Sequence, residues 1–189
     1  PGNGFKGTGT LTTSNSTVTV TYTNPQGIGF YQPSGGAYYY SNGTDGPAGT
    51  SPFTSSAVDN RPAATDIIAL QYAGTQTLSF SQAIANPVFA YVSLNGNGYG
   101  FDQDFDILSF GAASDGNACG YWGCGTSYKQ VVTVNGQTEY QLLGTGEPHG
   151  TLQFRGTFDT VNWRSLSNEF WNGFTVGVQG TAVEFCTAN

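Results

Sequence analysis

"VVTVNGQTEYQLL", residues 131–143, reads as two β-rich runs joined by Asn135-Gly136. An Asn-Gly pair supplies the two positive φ values of a type I′ turn, so this stretch predicts a tight antiparallel hairpin. The same period of two runs outward in both directions. "TVTVTYT" (17–23) sets Val18, Val20 and Tyr22 against threonines, the pattern of a half-buried strand. "QTLSFSQ" (76–82) places Leu78 and Phe80 on one face. "NPVFAYVSL" (86–94) is apolar on both faces and predicts a central strand covered on both sides. "TLQFRGTFD" (151–159) alternates Leu152, Phe154 and Phe158 against Thr151, Gln153, Arg155 and Thr157. "FWNGFTVGVQG" (170–180) puts Phe174, Val176 and Val178 on one side, and "TAVEFC" (181–186) reads as a last strand.

Glycines (28) and prolines (8) punctuate the chain too often for long helices. "SLSNEFW" (165–171) is expected to make one short helical turn. About nine short strands with turn signals every 8–12 residues predict an all-β fold, an antiparallel β-sandwich of jelly-roll type. At 189 residues, with no internal repeat and no linker, the chain is expected to be a single domain, 1–189. Residues 1–23 form an N-terminal strand or arm, and 24–62 a loop-rich segment carrying exposed aromatics.

Charged residues are only 9% of the chain, against roughly 25% in an average soluble protein. Solubility therefore comes from Thr, Ser, Asn and Gln, a balance more usual outside the cell than in the cytosol. The net charge is −7 and the cations number 5, Lys6, Arg61, Lys129, Arg155 and Arg164. Scattered so thinly, they form no phosphate-binding surface, which argues against nucleic acid and against an anionic membrane. No run approaches the ~18 apolar residues of a membrane span. The chain begins at Pro1, as expected of a processed N-terminus, and carries sequons at Asn15 and Asn42.

Cys119 and Cys124 bracket the short glycine-containing loop "CGYWGC", and a disulfide between them is expected. The alternative pairs Cys186 with either one. The spacing is not that of a zinc site.

"FDILSFG", "GYWGCG", "GEPHGTLQFRGTF" and "W…NEFWNGFTVGV" together resemble a block found in secreted bacterial proteins of the PEP-CTERM, exosortase-sorted group. The resemblance covers about Leu78 to Gly180. It implies export and an envelope, matrix or biofilm setting, and no reaction. The group's sorting tail, a Pro-Glu-Pro motif, membrane helix and basic end, is absent from the 189 residues.

"FDQDFD" spaces Asp102, Asp104 and Asp106 at period two, which in a strand points all three to one face. Their mutual repulsion would be relieved by a hard cation, so Ca²⁺ is the metal to expect, with Asp115 and Asn117 completing an oxygen cage. The spacing is not that of an EF-hand, and the alternative is a solvated strand face.

The only histidine lies in "GEPHG". General acid–base chemistry would place His149 beside a carboxylate in a cleft. No G-x-S-x-G elbow supplies a nucleophile, and Ser165 and Ser167 offer little. Glu147 and Glu169 would serve as a glycosidase pair only on paper. Glu147, Pro148 and His149 are therefore expected to be structural turn residues, with metal ligation by His149 as the alternative.

Aromatic rings stack on the apolar faces of sugars. Tyr121 and Trp122 in the disulfide loop, and Tyr38, Tyr39 and Tyr40 in a Gly-rich loop, are expected to be exposed and to form contact surfaces. Trp163, Phe170 and Trp171 are expected in the core.

With no assembled catalytic set, the first expectation is a non-enzymatic extracellular structural protein. It would be the subunit of a self-assembling filament, pilus-like fibre or biofilm matrix, its N-terminal segment adding to a neighbour's sheet. The second is a Ca²⁺-assisted carbohydrate-binding, lectin-like module, and the third a polysaccharide-active enzyme.

Overall fold

The computed structural model describes residues 3–41, 51–58, 61–112 and 119–187. Two antiparallel sheets pack face to face. Their organising feature is a nested pairing. Strands β4 (Ile67–Leu70), β5 (Gly74–Ala85), β6 (Val88–Val92) and β7 (Tyr99–Phe101) run outward along the chain. Strands β10 (Gln137–Gly146), β11 (Gly150–Phe154), β12 (Thr157–Ser165) and β13 (Asn172–Gly177) return. β7 pairs with β10, β6 with β11, β5 with β12 and β4 with β13. Successive pairs alternate between the sheets, which is the winding of a jelly roll.

The remaining strands widen this frame. β1 (Phe5–Thr12) and β2 (Thr17–Asn24) extend the large sheet past β5, and β9 (Gly125–Val134) extends it past β10. β3 (Phe30–Gln32) and β8 (Phe105–Phe110) flank the small sheet, and β14 (Gly180–Thr181) adds to β5. The hairpin predicted at Asn135-Gly136 joins β9 to β10, with φ of 51° and 79° at the two turn residues.

The alternation read from sequence sets the core. Val18, Tyr22, Leu78, Phe80, Leu152, Phe154 and Phe174 all point between the sheets. Phe89 lies at the centre, stacked on Phe174 at 4.8 Å and edge-on to Trp163 at 5.8 Å and Phe101 at 5.7 Å. Such offset and edge contacts suit the ring quadrupoles. A buried chain of polar groups crosses the same core: the Asn24 amide donates to Tyr22 Oη at 2.8 Å, Tyr22 donates to Gln76, and Gln76 donates to Ser165 Oγ at 2.9 Å. It leaves those amides and hydroxyls paired where water is excluded.

β6 is apolar on both faces because both are covered. Phe89 and Tyr91 face the large sheet, while Ala90 and Val92 pack with Ile67 of β4 and with Tyr40 and Phe53 from the segment crossing the small sheet's outer side. Thr151 donates to the Phe53 carbonyl at 3.1 Å and Ser55 to the Leu108 carbonyl at 2.6 Å, fastening that segment down.

Three sequence expectations are corrected. "TLQFRGTFD" is not one strand: Gly156, at φ 105°, turns the chain so that β11 and β12 enter different sheets. "TAVEFC" is not one strand: Thr181 ends β14 and the rest belongs to α1 (Ala182–Thr187). Thr181 and Glu184 close a reciprocal capping box, with Glu184 N–H donating to Thr181 Oγ1 at 3.3 Å and Thr181 N–H to the Glu184 carboxylate at 2.6 Å. "SLSNEFW" makes no helical turn, since its backbone bonds outward: Leu166 N–H to Gly98 at 2.9 Å and Glu169 N–H to Gln71 at 3.0 Å. Of the strand and the arm offered for residues 1–23, the structure shows the strand, with β1 paired along its whole length to β2.

Candidate functional site

The disulfide loop is the natural starting point. Cys119 and Cys124 are bonded, and Gly120 N–H donates to the Gly123 carbonyl at 2.7 Å. That bond ties the two arms of the loop together and leaves Tyr121 and Trp122 at its tip. Cys186 is free and exposed.

The loop rests on the "GEPHG" turn. Glu147 N–H donates to the Cys124 carbonyl at 3.0 Å. A Cβ on Gly120 would stand 2.4 Å from the imidazole Cγ of His149, and one on Gly123 would stand 3.0 Å from Glu147 Cγ. Neither position has room for a larger residue without displacement, which accounts for the glycines in "CGYWGC".

His149 itself is 1% exposed. Its Nδ1 accepts from Ser93 N–H at 3.3 Å, and its ring meets Phe53 edge-on at 6.2 Å. Burial lowers its pKa to about 4, and the Gly123 carbonyl opposes this only in part. At neutral pH it is an uncharged ring beneath the loop, shielded from any solvent-borne substrate. The Ser93 hydroxyl donates to Glu147, and Leu94 N–H to the Pro148 carbonyl at 3.1 Å, so the whole turn is held from β6's end.

Above this support, distant segments gather their rings. Tyr39 stacks with Trp122 at 6.2 Å and 19°, and meets Tyr121 and Trp171 edge-on, each at 5.1 Å. Trp122 meets Trp171 at 5.6 Å, and Trp171 meets Phe30 at 5.3 Å. Trp122 is 50% exposed and Tyr121 42%. The disulfide loop, the Tyr-rich loop and the residue just before β13 thus build one aromatic surface.

Glu147 and Glu169 flank it. Glu147 packs at Gly123, beside Trp122, and Glu169 stands two residues before Trp171. Glu169 accepts from the Asn172 amide at 2.7 Å, and Asn172 accepts in turn from Tyr99 Oη. Burial raises the pKa of Glu169, and the charge of Glu147 adds to that rise while Asn172 and Asn95 counter it.

Other expected site residues lie elsewhere. Tyr40 is fully buried against Phe53 at 5.4 Å, because the Tyr-rich loop covers the small sheet instead of standing in solvent. Tyr38 is half-buried, donates to the Pro62 carbonyl and carries the Arg61 guanidinium over its ring at 5.5 Å. Phe170, expected inside, is 86% exposed, and Trp171 is half-buried on the aromatic surface, whereas Trp163 is in the core.

Asp102, Asp104 and Asp106 do not share a strand face, because the chain turns between β7 and β8. Asp102 accepts from Asn162 N–H and from its amide, both at 2.9 Å. Asp104 pairs with Lys129 and Arg155, and Asp106 takes the Arg155 guanidinium in two-point fashion, holding the Asp106 pKa down. Asp115 and Asn117 lie outside the described residues. Among the described residues no group of three or more His, Cys, Asp or Glu side chains gathers as a metal cage would. Ser165 is buried, accepting from Gln76, and Ser167 donates to Asn97.

Sequence reading favoured the core for Trp171 and left Phe30 as one aromatic of the loop-rich segment. The parity of β13 carries the signal for Trp171: Phe174 points inward, so an odd-numbered residue belongs on the opposite face. Nothing comparable marks Phe30.

Compared with protein-family models, curated proteins and solved structures, the chain matches none.

Proposed function

We propose that the protein is an extracellular carbohydrate-binding module, its ligand stacking on Trp122 and Tyr121 with Tyr39 and Trp171 as buttresses. The observation that carries this is the half-exposure of Trp122 at the corner of a disulfide-closed turn. Burying a large ring is worth about 2–3 kcal/mol, so a tryptophan held out of the core forgoes that gain. Here a covalent clamp, two glycines and a buried histidine all serve to hold it out. A rigid, half-wet aromatic face suits the apolar face of a pyranose. The exported setting implied by the sequence resemblance and the oxidised cysteines are in keeping with it. Calcium forms no part of this reading, since the carboxylates first expected to hold it are engaged by Lys129, Arg155 and Asn162.

Filament assembly by strand addition has less support, because the segment offered as the donor is already the partner of β2.

Titration of intrinsic tryptophan fluorescence with neutral, amino and acidic oligosaccharides tests the proposal. A saturable change that is lost in Trp122→Ala is expected. No change with any of the three classes overturns it.

A further inference from the structure

The small sheet's outer side carries a second feature besides the aromatic surface, a groove of about 710 Å³. Leu108 of β8, Gln153 of β11, Val88 and Ala90 of β6 and Gly177 of β13 floor it, and Val58 with residues 61–64 forms its wall. The size is that of an ordinary ligand cleft. Its one acid, Asp66, and its one base, Arg61, leave it without net charge. Asp66 Oδ2 accepts from Thr175 Oγ1 at 2.9 Å, and the Gln153 amide donates to the Asn86 carbonyl at 3.0 Å. Among the described residues, Asp66 Oδ1, Gln153 Oε1 and the Gln179 side-chain amide have no hydrogen-bond partner, and none of them is enclosed. The groove thus offers hydrogen bonds above a floor of small apolar side chains, which suits a neutral ligand rich in hydroxyl groups. A peptide strand fits less well, since β6 and β11 are paired on both sides and present no edge to add to.

The groove and the aromatic surface are joined through the Tyr-rich loop. Tyr39 belongs to the surface, while Tyr38 beside it donates to the carbonyl of Pro62 in the groove wall. Along β13, Trp171 and Gly177 are six residues apart, about 20 Å of extended chain at about 3.3 Å per residue. One sugar ring cannot reach both. Resting on the carbohydrate reading above, we infer that the ligand is a neutral polysaccharide, held as a chain of several sugars with one end stacked on Trp122 and a farther stretch laid in the groove.

The test measures, by calorimetry, the affinity of cello-, xylo- and manno-oligosaccharides from disaccharide to octasaccharide, with acidic oligomers of equal length beside them. Affinity should rise about tenfold or more once the chain is long enough to reach the groove, the worth of one or two net hydrogen bonds. A Cβ on Gly177 meets nothing within 4 Å, and Gln179 is exposed, so Gly177→Phe and Gln179→Phe fill the groove at little cost to the fold. Each should cancel the gain with length, whereas Trp122→Ala should weaken short and long oligomers alike. Melting curves identify a variant that fails to fold, and the other groove variant then carries the test.

Affinity indifferent to length, a gain that survives both groove variants, or acidic oligomers that bind as tightly as neutral ones overturns the inference and leaves the carbohydrate reading standing. Absence of binding in every series overturns both readings together.

Discussion

Gly120 and His149 are in face contact: a Cβ placed on Gly120 would stand 2.4 Å from the imidazole Cγ. The clash is with a buried ring, not with the end of a flexible side chain, so it cannot be relieved locally. Gly120→Ala should lift the disulfide loop off its support, at about 1–3 kcal/mol as for other overpacked sites. The measurable signs are a lower melting temperature and a tryptophan emission shift as Trp122 leaves Tyr39 and Trp171. An unchanged emission spectrum would mean that the loop's position does not depend on this contact.

The histidine also sets a pH dependence. Its folded pKa, about 4, lies below the ordinary value near 6.5, so the unfolded chain takes up the proton first as pH falls. Stability from this group is full above about pH 6.5, declines between there and pH 4, and is flat below that, amounting to about 3 kcal/mol over the window. Glu169, with its pKa raised, works in the opposite direction. Chemical denaturation of wild type and His149→Gln at a series of pH values isolates the histidine: the difference between them should lose its slope outside the window.

Glu184 joins two ends of the chain. Its carboxylate caps α1 through Thr181 and also accepts from Thr13 Oγ1 at 2.7 Å and Asn15 N–H at 2.8 Å in the turn between β1 and β2. These donors, Thr181 N–H foremost, lower its pKa to about 2. The anchor is therefore present above the usual glutamate range near 4.3 and is lost as pH falls toward 2. Glu184→Ala should speed hydrogen exchange at the Thr181 and Asn15 amides with little effect on β6 and β13. Unaltered exchange at both amides would show that the bridge is not what orders them.

Phe89→Ala removes the ring that touches Phe174, Trp163, Phe101 and Phe154 together. A loss of about 3–5 kcal/mol is expected from equilibrium unfolding, since neighbours drawn from both sheets cannot collapse into the gap.

Much of the fold was legible because period-two alternation reports directly on which face is buried. Leu78, Phe80, Leu152, Phe154 and Phe174 all went where alternation sends them. Alternation says nothing about which sheet a strand joins, so the change of sheet at Gly156 was read as continuity. It also overlooks helix caps, which is why Thr181 and Glu184, a capping box in plain sequence, were read as strand. The site was legible only in pieces. "CGYWGC" and "GEPHG" each stood out, and the disulfide follows from spacing. Their contact does not, since it depends on β9 and β10 bringing residues 123 and 147 side by side. Tyr40 went wrong because a loop's composition does not reveal that it lies over an apolar sheet face.

The nested pairing has a kinetic side. Ile68 pairs with Phe174, so the outermost strands of the jelly roll meet only after more than a hundred intervening residues are in place. Contacts of such long range make folding slow, on a scale of milliseconds to seconds. A chain emerging from its N-terminus can complete β1 against β2 early, but it cannot close the sandwich until its last strands arrive.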